Sequence, residues 1–401
     1  MARSSAQSPE KLLRPFMPEL DSLRGIAILL VLFFHGFGFK MGQGHLTGLA
    51  RLFIVATGGG WIGVNLFFVL SGFLITGILL DSKSKPDFYK RFYIRRALRI
   101  LPAYYGLLIL LLFIGQMHLL QTRQVGLPFI GLSFVYLSNV TDLFGVPAQY
   151  AALWSLALEE HFYLLWPTLI RNVSARVVAI CGLAVFLICP TLRALAYHLG
   201  YNYGAGYTWL VADGLAIGAV LGVLSRGRLS ERKAMRQFST LCIVTGMGML
   251  IVGAPFGIWF GRTFLGGSLR LTALNLFFAG VLGATLLLGS SHRKWVVRWA
   301  FFAFLGEISY GLYLIHMLAF DVVDDVTTYY FPKVSAHLSY HFGLMVLRFA
   351  VAAGLAIGVA LLSRKYFEQP FLDLKERWTR GGHRRVLSDD FAADAGTKQS
   401  G

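Results

Sequence analysis

Apolar runs of roughly 18 residues or more recur along nearly the whole chain, and no other feature restricts its fold so strongly. In hydrocarbon every backbone N–H and C=O must be bonded within the protein, so such runs can only become helices or a closed barrel. A barrel would read as ~10-residue segments of alternating polarity, and none is present. The apolar segments lie at approximately 20–39, 61–80, 100–117, 127–141, 153–170, 176–196, 208–225, 238–256, 270–289, 301–320 and 342–363. The expected fold is therefore all-α, a polytopic membrane helix bundle. Composition agrees: 56% of residues are hydrophobic and 14% charged, where a soluble domain carries roughly 25% charged residues.

The net charge of +17 is distributed in short loops between apolar runs, which is a topology signal and not a nucleic-acid footprint. Arg3, Lys11 and Arg14 place the N-terminus in the cytoplasm, as do the basic stretches "DSKSKPDFYKRFYIRRALR", "RGRLSERKAMR" (226–236) and "SHRKWVVR" (291–298) for their own loops. The acidic "DVVDDVTT" (321–328) is expected to be an external loop. All of these fall on the required side only if segment 127–141 does not cross. Ten spans with both termini cytoplasmic result, and residues 118–152 become an external or re-entrant segment that protein must bury. The expected organisation is a cytoplasmic tail (1–17), a membrane domain (18–371) and a cytoplasmic tail (372–401) whose small polar end reads as disordered. The first run is long, follows about twenty polar residues, lacks a small-residue cleavage site, and is expected to stay as a span. Cys181, Cys189 and Cys242 sit inside apolar runs, so neither a disulfide framework nor a metal site is expected.

Two ionisable residues stand inside the first run, "PELDSLRGIAILLVLFFHGFGF". Arg24 and His35 are eleven residues apart, which at ~100° per residue puts them within ~20° of one helix face and about 16 Å apart along the axis. Ionisable groups at such depth face a bundle interior and are functional candidates by default. A snorkelling arginine and an interhelical hydrogen-bonding histidine would be the structural alternative.

Further candidates follow. Asn65 and Ser71 lie in "NLFFVLSGFLIT", where Ser71 and Gly72 also suit close helix packing. Arg91, Arg95, Arg96 and Arg99 crowd one loop-proximal stretch at helical spacings where like charges repel. A positive-inside anchor explains the charge but not arginine over lysine; bidentate capture of a phosphorylated ligand does. Glu159 and Glu160 in "LWSLALEEHFYLLWP" stand six to eight residues inside their span. That puts Glu160 roughly 10 Å deep, close to the depth of His35, where a carboxylate could orient the imidazole. His316 in "ISYGLYLIH" occupies the outer part of its span, with Glu307 nearer the cytoplasm. Two literal matches mislead. "GGGWIG" (58–63) precedes a span with no βαβ context and reads as a flexible lead into it, and "HMLAFD" (316–321) is an isolated H-x4-D spacing. No G-x-S-x-G elbow supports a serine-hydrolase triad.

The string "LDSLRGIAILLVLFFH" resembles the first-span signature of the acyltransferase-3 family of integral membrane acyltransferases. "NLFFVLSGFLIT", "FYIRRALRILPAYY", "WSLALEEHFYLLWP", "ISYGLYLIH" and "YFEQPF" are similar to that family's later signatures, in the same order, over about residues 18–371. The resemblance implies ten spans and transfer of an acyl group, commonly acetyl from acetyl-CoA, to a hydroxyl of a sugar, glycan or glycosylated metabolite. It implies that His35 is the essential histidine, Arg24 its paired arginine, Arg96 and Arg99 the cytoplasmic basic pair, and Ser71 the serine of a Ser-Gly-Phe turn. Glu160 matches an acidic position that Glu159 could equally fill. Members with a fused extracytoplasmic esterase-like domain often modify cell-surface polysaccharide; the sequence reads as the membrane domain alone, which leaves the acceptor open.

The expected mechanism has acyl-CoA as co-substrate, with no tightly bound cofactor, its phosphates held by Arg95, Arg96 and Arg99. His35 acts as general base, Glu160 orients it, and Asn65, Ser71, Glu159 and His316 contact substrate. A covalent acyl intermediate on His35 or Ser71 is a variant. The expected partners are acyl-CoA, a hydroxylated acceptor (glycan, glycolipid or natural product) and the lipid bilayer of the cell membrane. A transporter or flippase of a sugar- or lipid-linked substrate is the rival, since intramembrane His and Glu also relay protons; an internal inverted repeat would favour it, and none is evident.

Overall fold

The computed structural model describes residues 12–14, 17–38, 46–117, 119–121, 124–200, 206–288, 300–337 and 341–374, and among them there is no β-strand. Helix α1 (Pro18–Phe37) opens with proline in its first turn and Glu19 and Asp21 beside its positive end. After α2 (Gly48–Gly58), helix α3 (Ile62–Ser82) returns across the bundle. Gly58, which ends α2, and Gly59 and Gly60, which follow it, do not serve as a loose lead. A Cβ on Gly60 would stand 2.2 Å from the Leu30 carbonyl oxygen, so the missing side chain is what lets this turn press on α1.

Helix α4 (Phe88–Gln116) carries the arginine cluster on its first turns. Segment 127–141 does not cross: its helix α5 (Leu127–Phe134) has 8 residues, about 12 Å, against a hydrocarbon thickness near 30 Å. The chain then turns at Tyr136 (φ 58°). Its backbone is held by protein, as membrane depth requires: Tyr104 donates to the Ser133 carbonyl (2.7 Å) and Ser138 to that of Leu153 (2.8 Å). Helices α6 (Leu153–Asn172), α7 (Ala175–His198), α8 (Asp213–Leu224), α9 (Arg232–Gly253) and α10 (Arg270–Leu286) follow. Next come α11 (Ala300–Glu307), α12 (Ser309–Tyr330) and α13 (Phe342–Leu362), the last continued by a π-turn over Ser363–Glu368.

Among the described residues six helices are long and apolar enough to cross a membrane, seven when α11 and α12, bent by 78° at Ile308, count as one span. The multi-pass character expected from composition is present. A count of ten adds α6, with Glu159, Glu160 and Arg171, and the shorter α8 and α10. The acidic stretch 321–328 is not a loop. It continues α12 to Tyr330, because Asp324 finds a cationic partner on α13. The basic stretch 291–298 lies outside the described residues.

Helix α1 runs along a seam between two apolar cores. Ile28, Val31 and Leu32 pack with α4, α12 and α13, whereas Leu20, Leu23 and Ala27 pack with α3, α8 and α10. Small residues set the closest crossings. A Cβ on Gly72 of α3 would lie 2.0 Å from the Leu215 oxygen of α8, and one on Gly306 would lie 1.9 Å from the Asp21 oxygen. The seam holds the polar side chains that the apolar cores exclude.

Candidate active site

Two adjacent cavities lie along α1. The inner chamber, about 110 Å³, is walled by α1, α3, α4, α6 and α12 and holds Arg24, Ser71, Arg96, Arg99, Glu159 and Glu160. The outer cavity, about 260 Å³, lies at the arginine-rich end and adds Asp21, Glu307, Arg364 and Glu368. Arg24, Arg99 and Tyr310 line both and stand between them. Six residues singled out in the sequence thus converge on one chamber from four helices.

Within it the carboxylate of Glu159 accepts hydrogen bonds from Ser71 (3.0 Å) and Tyr163 (2.7 Å). The guanidinium of Arg96 lies 4.9 Å from the centre of the Tyr163 ring, a cation–π distance. Arg24 donates to Asp21, one turn toward the helix start (2.6 Å). Arg96 lines the inner chamber and Arg99 lines both cavities, whereas Arg95 lines neither.

At the far end of the chamber Ser155 and Tyr313 share a hydrogen bond of 2.6 Å. One turn beyond stands His316, fully buried, its Nδ1 2.6 Å from the Tyr313 carbonyl oxygen and its Nε2 3.3 Å from Nδ1 of His35. His35 Nδ1 also lies 3.0 Å from the Val31 carbonyl oxygen. Carbonyl oxygens only accept, so in these contacts both Nδ1 atoms carry hydrogen. The single Nδ1–H of His35 is then shared between the Val31 oxygen and Nε2 of His316, and the lone pair of a neutral His35 lies on Nε2. A base whose opposite nitrogen is held in this way has a defined tautomer and a support for its protonated form.

Two sequence expectations need correction. The ring beside His35 is His316, and Glu160 lines the inner chamber with Arg96. Counting rises from the Ser155–Tyr313 contact puts Glu160 roughly 10 Å nearer the arginine-rich end than the histidines. Equal depth failed because residue counts ignore where α6 starts within the bundle. Asn65, proposed as a substrate contact, is buried and donates to Asn275 of α10 (2.8 Å), away from the cavity linings.

Several lining residues escaped the sequence reading: Ser155, Tyr163, Tyr310, Tyr313, Arg364 and Glu368. For the tyrosines a signal was present, since Tyr310, Tyr313 and His316 recur every third residue along α12. Arg193 and Asp213, a second intramembrane pair, bond one another (2.9 Å) in the α7–α8–α10 core, a structural use of buried charge.

Comparison with known proteins gives the family. The family model described as an acyltransferase domain, that of the acyltransferase-3 family, matches residues 17–364. The chain is 29% identical to the peptidoglycan O-acetyltransferase OatA of Listeria monocytogenes, over 76% of this chain and 49% of that protein. It is 30% identical to YrhL of Bacillus subtilis, named a putative peptidoglycan O-acetyltransferase, over 82% and 54%. A putative O-acetyltransferase of Staphylococcus aureus is 26% identical over 89% and 57%. The chain therefore spans about half the length of the curated relatives it matches. No solved structure matches it.

Proposed function

The chain belongs to the acyltransferase-3 family, and we propose that it transfers an acyl group, in the first instance acetyl, from acyl-CoA to a hydroxyl of a glycan or other hydroxylated acceptor. The observation that supports this most is the pair of adjacent cavities, which share Arg24, Arg99 and Tyr310. The outer one is lined by three arginines and three carboxylates, and the inner one holds two further arginine-facing carboxylates and ends at hydroxyls one helical turn short of His35 and His316.

In this reading Arg96, Arg99 and Arg364 meet the donor's phosphates, with Arg24 between the two cavities. Guanidinium forks match phosphate oxygens in pairs, and a partly desolvated setting strengthens each contact. The axial distance of about 16 Å from Arg24 to His35 suits an extended pantetheine arm. The acceptor hydroxyl gives its proton to Nε2 of His35 as its oxygen attacks the thioester carbonyl. The thiolate leaves toward the arginine-rich end. His316, accepting from Nδ1–H of His35, holds the ring and supports the imidazolium that forms. Glu159, fixed by Ser71 and Tyr163, shapes the chamber. The names of OatA, a peptidoglycan O-acetyltransferase, and YrhL, a putative one, favour a glycan acceptor.

The test is to incubate membranes containing the full chain with labelled acetyl-CoA and peptidoglycan or extracted glycans, and to identify labelled product by mass. Label on a glycan hydroxyl, with stoichiometric release of CoA thiol, supports the reading. Acetyl-CoA left intact while substrate crosses the membrane would favour the transporter rival.

A further inference from the structure

A buried arginine outside the cavities joins the two histidine helices. Arg348 of α13 is 8% exposed, and its Nη1 donates to the Gly36 carbonyl oxygen (2.8 Å), the residue next to His35. Its Nη2 donates to Oδ2 of Asp324 on α12 (2.7 Å), and its Nε to Oδ1 of the same carboxylate. The guanidinium also lies 5.0 Å from the ring centre of Phe320, one turn beyond His316. Gly36 is in the last turn of α1, where carbonyls lack intrahelical donors and a cation is favoured. Its lack of a side chain is required, because a Cβ there would stand 2.4 Å from the Phe349 ring of α13.

We propose that Arg348 is a positioning residue that sets His35 against His316, by capping α1 at Gly36 while gripping Asp324 on the helix that carries His316. This rests on the assignment of His35 as base. Three contacts in different directions need a planar fork, which arginine has and lysine lacks. A buried pair of this kind adds little net stability against an apolar replacement, so its geometric consequence is the part that an apolar pair would not reproduce. The His35–His316 contact depends on two helices far apart in sequence, and a misplacement of ~1 Å in such a site costs about 10²-fold in rate.

The experiment uses the purified full chain in lipid, with labelled acetyl-CoA and peptidoglycan fragments, and reads kcat, KM for acetyl-CoA and the thermal midpoint. Arg348→Met is expected to lower kcat about 10- to 100-fold with KM for acetyl-CoA unchanged, since the donor site lies elsewhere. Arg348→Met with Asp324→Asn removes both charges, so the thermal midpoint recovers while kcat stays low. Asp324→Asn alone keeps the Gly36 contact but loosens the grip on α12, and is expected to lower kcat by less than Arg348→Met, an amide still accepting a hydrogen bond. The proposal is overturned if the double variant regains kcat together with stability, or if Arg348→Met keeps kcat within about threefold of the parent. His35→Ala, run beside them, separates the failures: retained turnover there removes the base assignment itself, whatever Arg348 does.

Discussion

Nε2 of His316 lies 3.3 Å from Nδ1 of His35, although 281 residues separate the two in sequence. One ring is partly buried at the end of α1 and the other fully buried in α12. Each Nδ1 has a backbone carbonyl oxygen on its own helix within reach, which restrains both rings. His316→Phe keeps the bulk and deletes the acceptor. It is expected to lower kcat by 10²-fold or so, within the ~10²–10⁴ range of general-base effects, with KM for acetyl-CoA little changed. Initial rates across donor concentrations check this.

The arginines of α4 are expected to differ sharply. Loss of Arg96 or Arg99 removes a charged donor from the cavities and should raise KM for acetyl-CoA by about 10-fold or more, the worth of a charge-assisted hydrogen bond being ~1.5–3 kcal/mol. Arg95→Ala, on an exposed residue outside both linings, should leave KM within twofold or so, the size of surface charge effects. Equal effects at Arg95 and Arg96 would contradict the placement of the donor site.

Glu159 is expected to matter for the shape of the chamber. Both its oxygens accept from hydroxyls, Ser71 and Tyr163. Glu159→Gln turns one acceptor into a donor facing a hydroxyl and should cost about 1–3 kcal/mol, the penalty of an unsatisfied buried polar group. A lowered thermal midpoint in the purified protein reads this out.

Gly72→Ala tests the crossing that carries Ser71 into the site. The added methyl would stand 2.0 Å from the Leu215 oxygen, so α3 and α8 must separate, at a cost of roughly 1–3 kcal/mol as for other overpacked sites. Reduced yield of folded protein and a lower thermal midpoint are expected, in contrast to Gly354→Ala, where a Cβ meets nothing within 4 Å.

Much of this was legible in the chain. Apolar run length is a local property, and it foretold the bundle; charge in the flanks set segment 127–141 apart from the spans, and its helix of 8 residues is too short to cross. Phase along one helix is likewise local, which is why Arg24 and His35 could be placed on one face of α1 in advance; Arg95 was grouped with Arg96 and Arg99, and it lines neither cavity. The contacts between helices were not legible. That His35 meets His316 and that Glu160 lies a turn or more away depend on where α6 starts and on the 78° bend at Ile308, which residue counting cannot supply. Asp324 reads as part of an acidic loop until Arg348, a lone charge in an apolar run, is seen to reach it.

The central claim is that His35 takes the acceptor's proton. Its most direct measurement is single-turnover acetyl transfer from labelled acetyl-CoA by His35→Ala in lipid, at matched folded protein and saturating donor. A loss of about 10²–10⁴-fold with donor binding retained is the expected result. Transfer at the parent rate by a folded His35→Ala protein would contradict the account.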